Sequence, residues 1–224
     1  MNQILGALGL SEFLEKAAKA MGGWDLILSV QTYFHEAKVT IQSPAGVLSG
    51  TLRLYRARGG RIRIEERLGS IVPSIRIVNG QEGWLSESAG DQGQAGFRPL
   101  EQQELEEIRR GVLCWPRNLI AHAREHRLSD PVLQPWGGSI VWKLTADDLD
   151  AEYVFDAETL LCHECYDAKA KRTTRFDDYR PSDGVLTAWH IESFEPSQIR
   201  RIEKIQSARH NLPLGETLFV LPET

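Results

Sequence analysis

At 224 residues, with 42% hydrophobic and 25% charged side chains, the chain has material for one sizeable core and is too apolar to be disordered. A net charge of -5 and a pI near 5.7 exclude a general polyanion binder, which needs a concentrated Lys/Arg surface, so no nucleic-acid partner is expected. Three cysteines, Cys114, Cys162 and Cys165, do not make the dense, even set of a disulfide-stapled secreted domain. No apolar run is long enough to span a bilayer.

The first ten residues hold a short apolar run without a basic leader, a poor signal peptide, so a chain that starts natively at Met1 is expected in the cytoplasm. Leu14, Ala17, Ala18 and Met21 then fall at helical spacing. Ser11 with Glu15 offers a capped start and Gly22-Gly23 a stop, which predicts a helix within residues 1–23.

Residues 24–85 form a first strand block. Ala37-Lys38-Val39-Thr40-Ile41, Thr51-Leu52-Arg53-Leu54, Arg61-Ile62-Arg63-Ile64 and Ile75-Arg76-Ile77 each place apolar residues on one side and charged ones on the other. That is the pattern of an antiparallel sheet with one wet face. A long strand is expected after Gly23 through Gln42, a turn at Pro44-Ala45-Gly46, and a second strand to Ala57. Gly59-Gly60 is a two-residue hairpin signal, and a further hairpin falls in Val78-Asn79-Gly80-Gln81-Glu82-Gly83-Trp84.

Residues 86–96 are polar and glycine-rich, the composition of a mobile loop. Residues 100–126 read as a helical lid. Leu105, Ile108 and Val112 share a face, and Glu101, Glu104, Glu106 and Glu107 precede Arg109 and Arg110 in the order that suits a helix dipole. Trp115-Pro116 breaks this helix, and Asn118 can cap a second one running to His126. Residues 132–224 return to strands, among them Ile140-Val141-Trp142-Lys143-Leu144, with turns at Gly137-Gly138, 156–159, 169–171 and 181–184. Arg200, Arg201, Lys204 and Arg209, interrupted by Glu203, read as a solvated strand face. No linker or repeat divides the chain, so one domain over 1–224 is predicted: α+β, mainly antiparallel, with helices covering a curved sheet.

Chemistry is sparse. His122-Ala123-Arg124-Glu125-His126 fits H-x-x-E-H, in which two histidines on one helical face bind zinc and the glutamate acts as base. The competing reading is an exposed helix end, with His126 complementing the C-terminal dipole. Cys162-His163-Glu164-Cys165 has C-x-x-C spacing, yet it lies in a predicted strand, where residues three apart point to opposite faces. One cysteine packed inside and one facing out is therefore expected. Asp147-Asp148 and Asp177-Asp178 sit at predicted strand ends, and no phosphate loop, nucleophile elbow or dinucleotide fingerprint occurs. No catalytic residue and no cofactor is assigned.

Several segments resemble the bacterial outer-membrane lipoprotein-sorting, LolA-like superfamily: Gly50-Thr51-Leu52-Arg53-Leu54-Tyr55, the Val78 to Trp84 hairpin, the helix from Pro99-Leu100 to Gly111, Phe176-Asp177-Asp178-Tyr179-Arg180 with Asp183-Gly184-Val185, and the closing stretch from Leu212-Pro213-Leu214 to Leu218-Phe219. The resemblance implies an incomplete, half-open β-barrel whose concave face is covered by helices. It also implies non-enzymatic binding of a lipid or acylated protein, in the periplasm or cell envelope, with release to a membrane or acceptor protein as the lid moves. A monomer is expected. The apolar strand positions Val39, Ile41, Leu52, Leu54, Ile62, Ile64, Ile75, Ile77, Trp142, Leu144, Tyr153 and Phe155 are the candidate cavity lining. The alternatives are a protein-interaction module in which the same residues fill a closed core, and a zinc hydrolase using His122, Glu125 and His126.

Overall fold

The computed structural model describes residues 8–71, 73–86 and 96–221, so most of the 86–96 loop lies outside the described residues. The alternation becomes a 13-stranded antiparallel sheet. A first meander holds β1 (Thr32–Ser43), β2 (Gly46–Ala57), β3 (Arg61–Leu68), β4 (Ser74–Asn79), β5 (Glu82–Ser86) and β6 (Phe97–Pro99). A second holds β7 (Val132–Trp136), β8 (Ser139–Ala146), β9 (Ala151–Asp156), β10 (Cys162–Asp167), β11 (Arg172–Ser182), β12 (Val185–Phe194) and β13 (Arg200–His210). The two are joined where β1 pairs with β13, and the outermost strands β6 and β7 do not pair with each other. The result is a half-open barrel of mainly antiparallel α+β class.

Helices α1 (Leu10–Ala20) and α2 (Trp24–Ser29) precede the sheet, while α3 (Gln102–Leu113) and α4 (Pro116–Ala121) connect β6 to β7. A chain leaving one edge of the sheet must reach the other. It does so across the concave side. Turn chemistry sets the register: Gly59 and Gly60 take φ of 78° and 73°, the positive values a tight hairpin demands at both central positions. Gly50 allows a close approach of β2 to β3, because a Cβ there would sit 1.7 Å from the Arg67 carbonyl oxygen.

The dense part of the core lies under α1. Phe13 packs edge-on to Phe155 with ring centroids 5.0 Å apart, and tilted against Trp142 at 6.2 Å. Ala17, Ala18 and Met21 from α1, Leu119 and Ile120 from α4, and Leu144 and Tyr153 from the sheet complete it. Trp24 Nε1 donates to Glu15 Oε2 at 2.7 Å and ties α2 back onto α1.

Several expectations are corrected. Helix α1 begins one residue before Ser11, and its N-cap is Gly9, without a side-chain cap. The strand expected directly after Gly23 is preceded by α2, because Trp24 and Ile27 fall on one helical face and Ile27 is buried. Asp177 and Asp178 lie inside β11, where Asp178 takes φ 53° and its carboxylate grips Arg180. Helix α4 is capped by Trp115, with Pro116 at its first turn, and stops at Ala121, five residues short of His126.

Cys162 and Cys165 both point inward. A register shift between Cys162 and Glu164 adds one residue, His163, and resets the alternation. Ile75 and Ile77 stand on the opposite, convex face. Ile77 pairs with Arg63, whose Nη1 donates to the Leu218 carbonyl at 3.1 Å, and Arg61 lies over the Phe219 ring. The C-terminal 3-10 turn, Glu216–Phe219, therefore covers Ile77 from outside.

Candidate ligand cavity

Between α3 and the concave face lies a cavity of about 590 Å³. Its floor is built by consecutive inward positions: Leu52 and Leu54 of β2, then Ile64 of β3, which is paired with Leu54. The lid side is the apolar stripe of α3 and its flanks, namely Leu100, Ile108, Val112 and Trp115, with Gly111 between them. Phe176 and Ile191 close the far wall from β11 and β12, where they are paired. The lining is mixed, with Arg76, Asp167, Arg172, Thr174, Ser193 and Glu195 among its polar members, and a cavity of this size is large enough to enclose a small ligand.

The lid is held at its rim by polar contacts. Arg110 Nη2 lies 2.5 Å from Asp167 Oδ1 and fastens α3 to β10. Lys169 reaches Glu106 at 3.1 Å, and Arg109 donates to the Gly80 carbonyl in the β4–β5 turn. The helix itself is well nucleated, since Glu101 and Glu104 form a reciprocal capping box.

One wall is charged. Arg201 of β13 pairs with Glu203 at 2.7 Å and with Glu66 at 2.6 Å, and Arg76 approaches Glu66 at 3.5 Å. Arg201 and Glu203 were expected on a solvated strand face. They turn inward because residues 201, 203 and 205 share the side of β13 that carries the buried Ile205, while Lys204 and Arg209 are exposed. His35 Nε2 faces Glu203 at 3.9 Å, its Nδ1 lies 3.2 Å from the Tyr33 hydroxyl, and its ring stacks on Trp115 at 5.5 Å. Complete burial pushes the His35 pKa down to about 4, against the pull of Glu203, so this histidine is neutral at pH 7.

The twelve candidate lining positions separate into groups. Leu52, Leu54 and Ile64 bound the cavity. Val39 and Ile62 are buried in the continuous core, with Ile41 packed against it. Trp142, Leu144, Tyr153 and Phe155 are the filled core beneath α1, and Ile75 and Ile77 face away. The charged wall and Ile191 were not anticipated from the sequence, which groups Ile108 and Val112 on one helical face without assigning that face to the cavity.

The H-x-x-E-H segment lacks the geometry its chemistry needs. Residues 122–125 are turns beyond the end of α4. His122 Nδ1 meets Glu125 at 3.1 Å, whereas His126 Nδ1 turns to Asp148 at 2.7 Å. Among the described residues, no three His, Cys, Asp or Glu side chains converge as a metal site. Burial also pushes the Cys162 thiol up, which keeps it protonated and unreactive.

No known family profile and no curated protein matches the sequence. Solved structures match the fold. A DUF1329 family protein from Desulfovibrio piger ATCC 29098 aligns with a TM-score of 0.63 at 13% identity over 94% of this chain and 97% of that one. The LolA superfamily protein NE2245 from Nitrosomonas europaea aligns at 0.61 and 10% identity over 96% and 99%. A domain named for outer membrane lipoprotein sorting, from Vibrio parahaemolyticus, aligns at 0.57 and 12% identity over 93% and 94%. The shared feature is the half-open antiparallel sheet with its covering helices, a LolA-like fold. No helix among the described residues is long and apolar enough to cross a membrane.

Proposed function

We propose that this protein is a non-enzymatic binder of a lipid or acylated ligand, which it holds beneath α3 in the cell envelope. The observation that carries the reading is the lidded cavity of about 590 Å³ with an apolar floor, Leu52, Leu54 and Ile64, facing an apolar stripe, Leu100, Ile108 and Val112. Each methylene moved from water onto these walls contributes about 0.8 kcal/mol, so a single acyl chain supplies useful affinity without any catalytic group. The charged wall gives the cavity a polar side and favours amphiphiles over plain hydrocarbons. Release follows from lifting α3, which breaks the Arg110–Asp167 contact and exposes the stripe; an acceptor protein or membrane then covers the apolar surface.

Native mass spectrometry of gently purified protein, followed by organic extraction, tests the reading. A co-purifying amphiphile near one per chain is the expected result. A ligand-free mass that takes up neither added fatty acids nor diacylglycerol would overturn it.

A further inference from the structure

A second polar cluster lies one inward step beyond Leu54. Arg56 continues the Leu52, Leu54 row of β2 and pairs across the sheet with Tyr33 and Ile62. Its Nη1 donates to Asn118 Oδ1, and Arg117 Nη2 donates to the same oxygen at 3.1 Å. The Asn118 amide is buried and oriented by donating to the Val112 carbonyl, and Arg117 lies over the Tyr33 ring at 5.3 Å. Unlike Arg110 and Arg201, neither arginine has a carboxylate partner among the described residues.

Two neighbouring guanidiniums on one neutral oxygen leave most of their N–H donors unused and their charges uncompensated. Burial, with Arg117 beside it, pushes Arg56 down to about 9, and burial pushes Arg117 down to about 10; both remain cations at pH 7. The planar forks match the oxygens of a phosphate group. Arg56 is the next inward residue of β2 after Leu54, which lines the cavity, and Trp115 stands between that cavity and a separate chamber of about 20 Å³ that Arg117 and His210 border.

We propose that Arg56 and Arg117 form an anion site at the α4 end of the cavity that takes a phosphate mono- or diester, the head group of an amphiphile whose chains lie along Leu54 and Leu52. In this form the proposal rests on the cavity reading above. Asn118 acts as the positioning residue that holds the two forks together.

The test is calorimetric titration of the full chain with dioctanoyl phosphatidate, with dioctanoylglycerol, which has the same chains and no anion, and with inorganic phosphate. Phosphatidate is expected to bind at least tenfold more tightly than dioctanoylglycerol at low ionic strength, with the gap narrowing as salt is added. Arg56→Gln and Arg117→Gln should each remove most of the gap and leave dioctanoylglycerol binding unchanged. Arg53→Gln, on the convex face against Glu36, should leave the gap intact. Equal binding of the two amphiphiles by the unaltered protein, with no phosphate binding, overturns the anion site and leaves the cavity reading standing. Phosphate binding that Arg117→Gln abolishes, without uptake of either amphiphile, supports a free-anion site and overturns the cavity reading. The comparison of amphiphiles on the unaltered protein needs no variant, so a misfolded arginine variant does not remove the test.

Discussion

Lowering the pH from 7 to 5 is expected to remove about 4 kcal/mol of folding stability, through two buried histidines. His35 is fully buried, and His210 donates from Nδ1 to the Ser182 carbonyl at 2.9 Å beside Arg117. Burial first, and then the Arg117 charge, push His210 down to about 4, as burial does for His35. The unfolded chain binds these protons near pH 6.5 and the folded chain only near 4. Stability is therefore complete above 6.5 and is lost as pH falls through that window, at about 2 kcal/mol per histidine by pH 5. The carboxylates held below their usual range, such as Asp167 and Asp183, release their contribution at lower pH and do not blur the window. Urea midpoints at pH 7, 6 and 5 measure the effect. A flat profile, or one that keeps its slope in a His35→Gln/His210→Gln double variant, would contradict it.

Removing Arg201 is expected to cost about 3 kcal/mol or more, because its partners Glu66 and Glu203 would be left facing each other on a partly dry wall. The sign of the cost matters. Lost pairing strands charge, so Arg201→Met should be strongly destabilised, whereas Arg201→Met combined with Glu66→Gln and Glu203→Gln should recover most of the loss. Arg201→Met alone should also weaken the acid effect. Without Arg201, Glu203 is an unshared carboxylate 3.9 Å from His35 Nε2 and favours the protonated ring. Denaturant melts of the single and triple variants at pH 7 decide the matter: a single-variant loss within the range of a surface pair, below 1 kcal/mol, would show that the charged wall is solvated.

Hairpin positions were the most legible part of the fold, since Gly59-Gly60 and Gly137-Gly138 state a backbone requirement and the structure meets it with positive φ. Which face of a strand points inward was less legible. Ile75-Arg76-Ile77 announces two unlike faces, and the usual inference puts isoleucine inside. Here Arg76 faces Glu66, and the isoleucine face is covered by Phe219, more than 140 positions away, which local pattern does not encode. Cys162 and Cys165 failed for a related reason, because strand parity holds only until a bulge adds a residue. His122 to His126 matched a motif whose meaning depends on a helix, and the helix ends at Ala121. The charged wall left a faint trace: Ile62, Ile64 and Glu66 lie in one row, as do Arg201, Glu203 and Ile205. A carboxylate in an apolar row signals a buried pair.

Gly111 offers the most direct test that the space under α3 is where ligand sits. It lies on the lid within the cavity wall, and among the described residues beyond its own helix a Cβ there would meet Arg172 Nη2 at 3.5 Å, the end of a flexible side chain. Gly111→Leu therefore fills cavity space while improving helix propensity by up to about 1 kcal/mol, which separates occupancy from folding. The measurement is the dissociation constant of dioctanoylglycerol for the wild-type and Gly111→Leu proteins, alongside their urea midpoints. At least tenfold weaker binding with an unchanged or raised midpoint is the result predicted here. Equal affinity with an intact fold would place the ligand elsewhere and contradict the account.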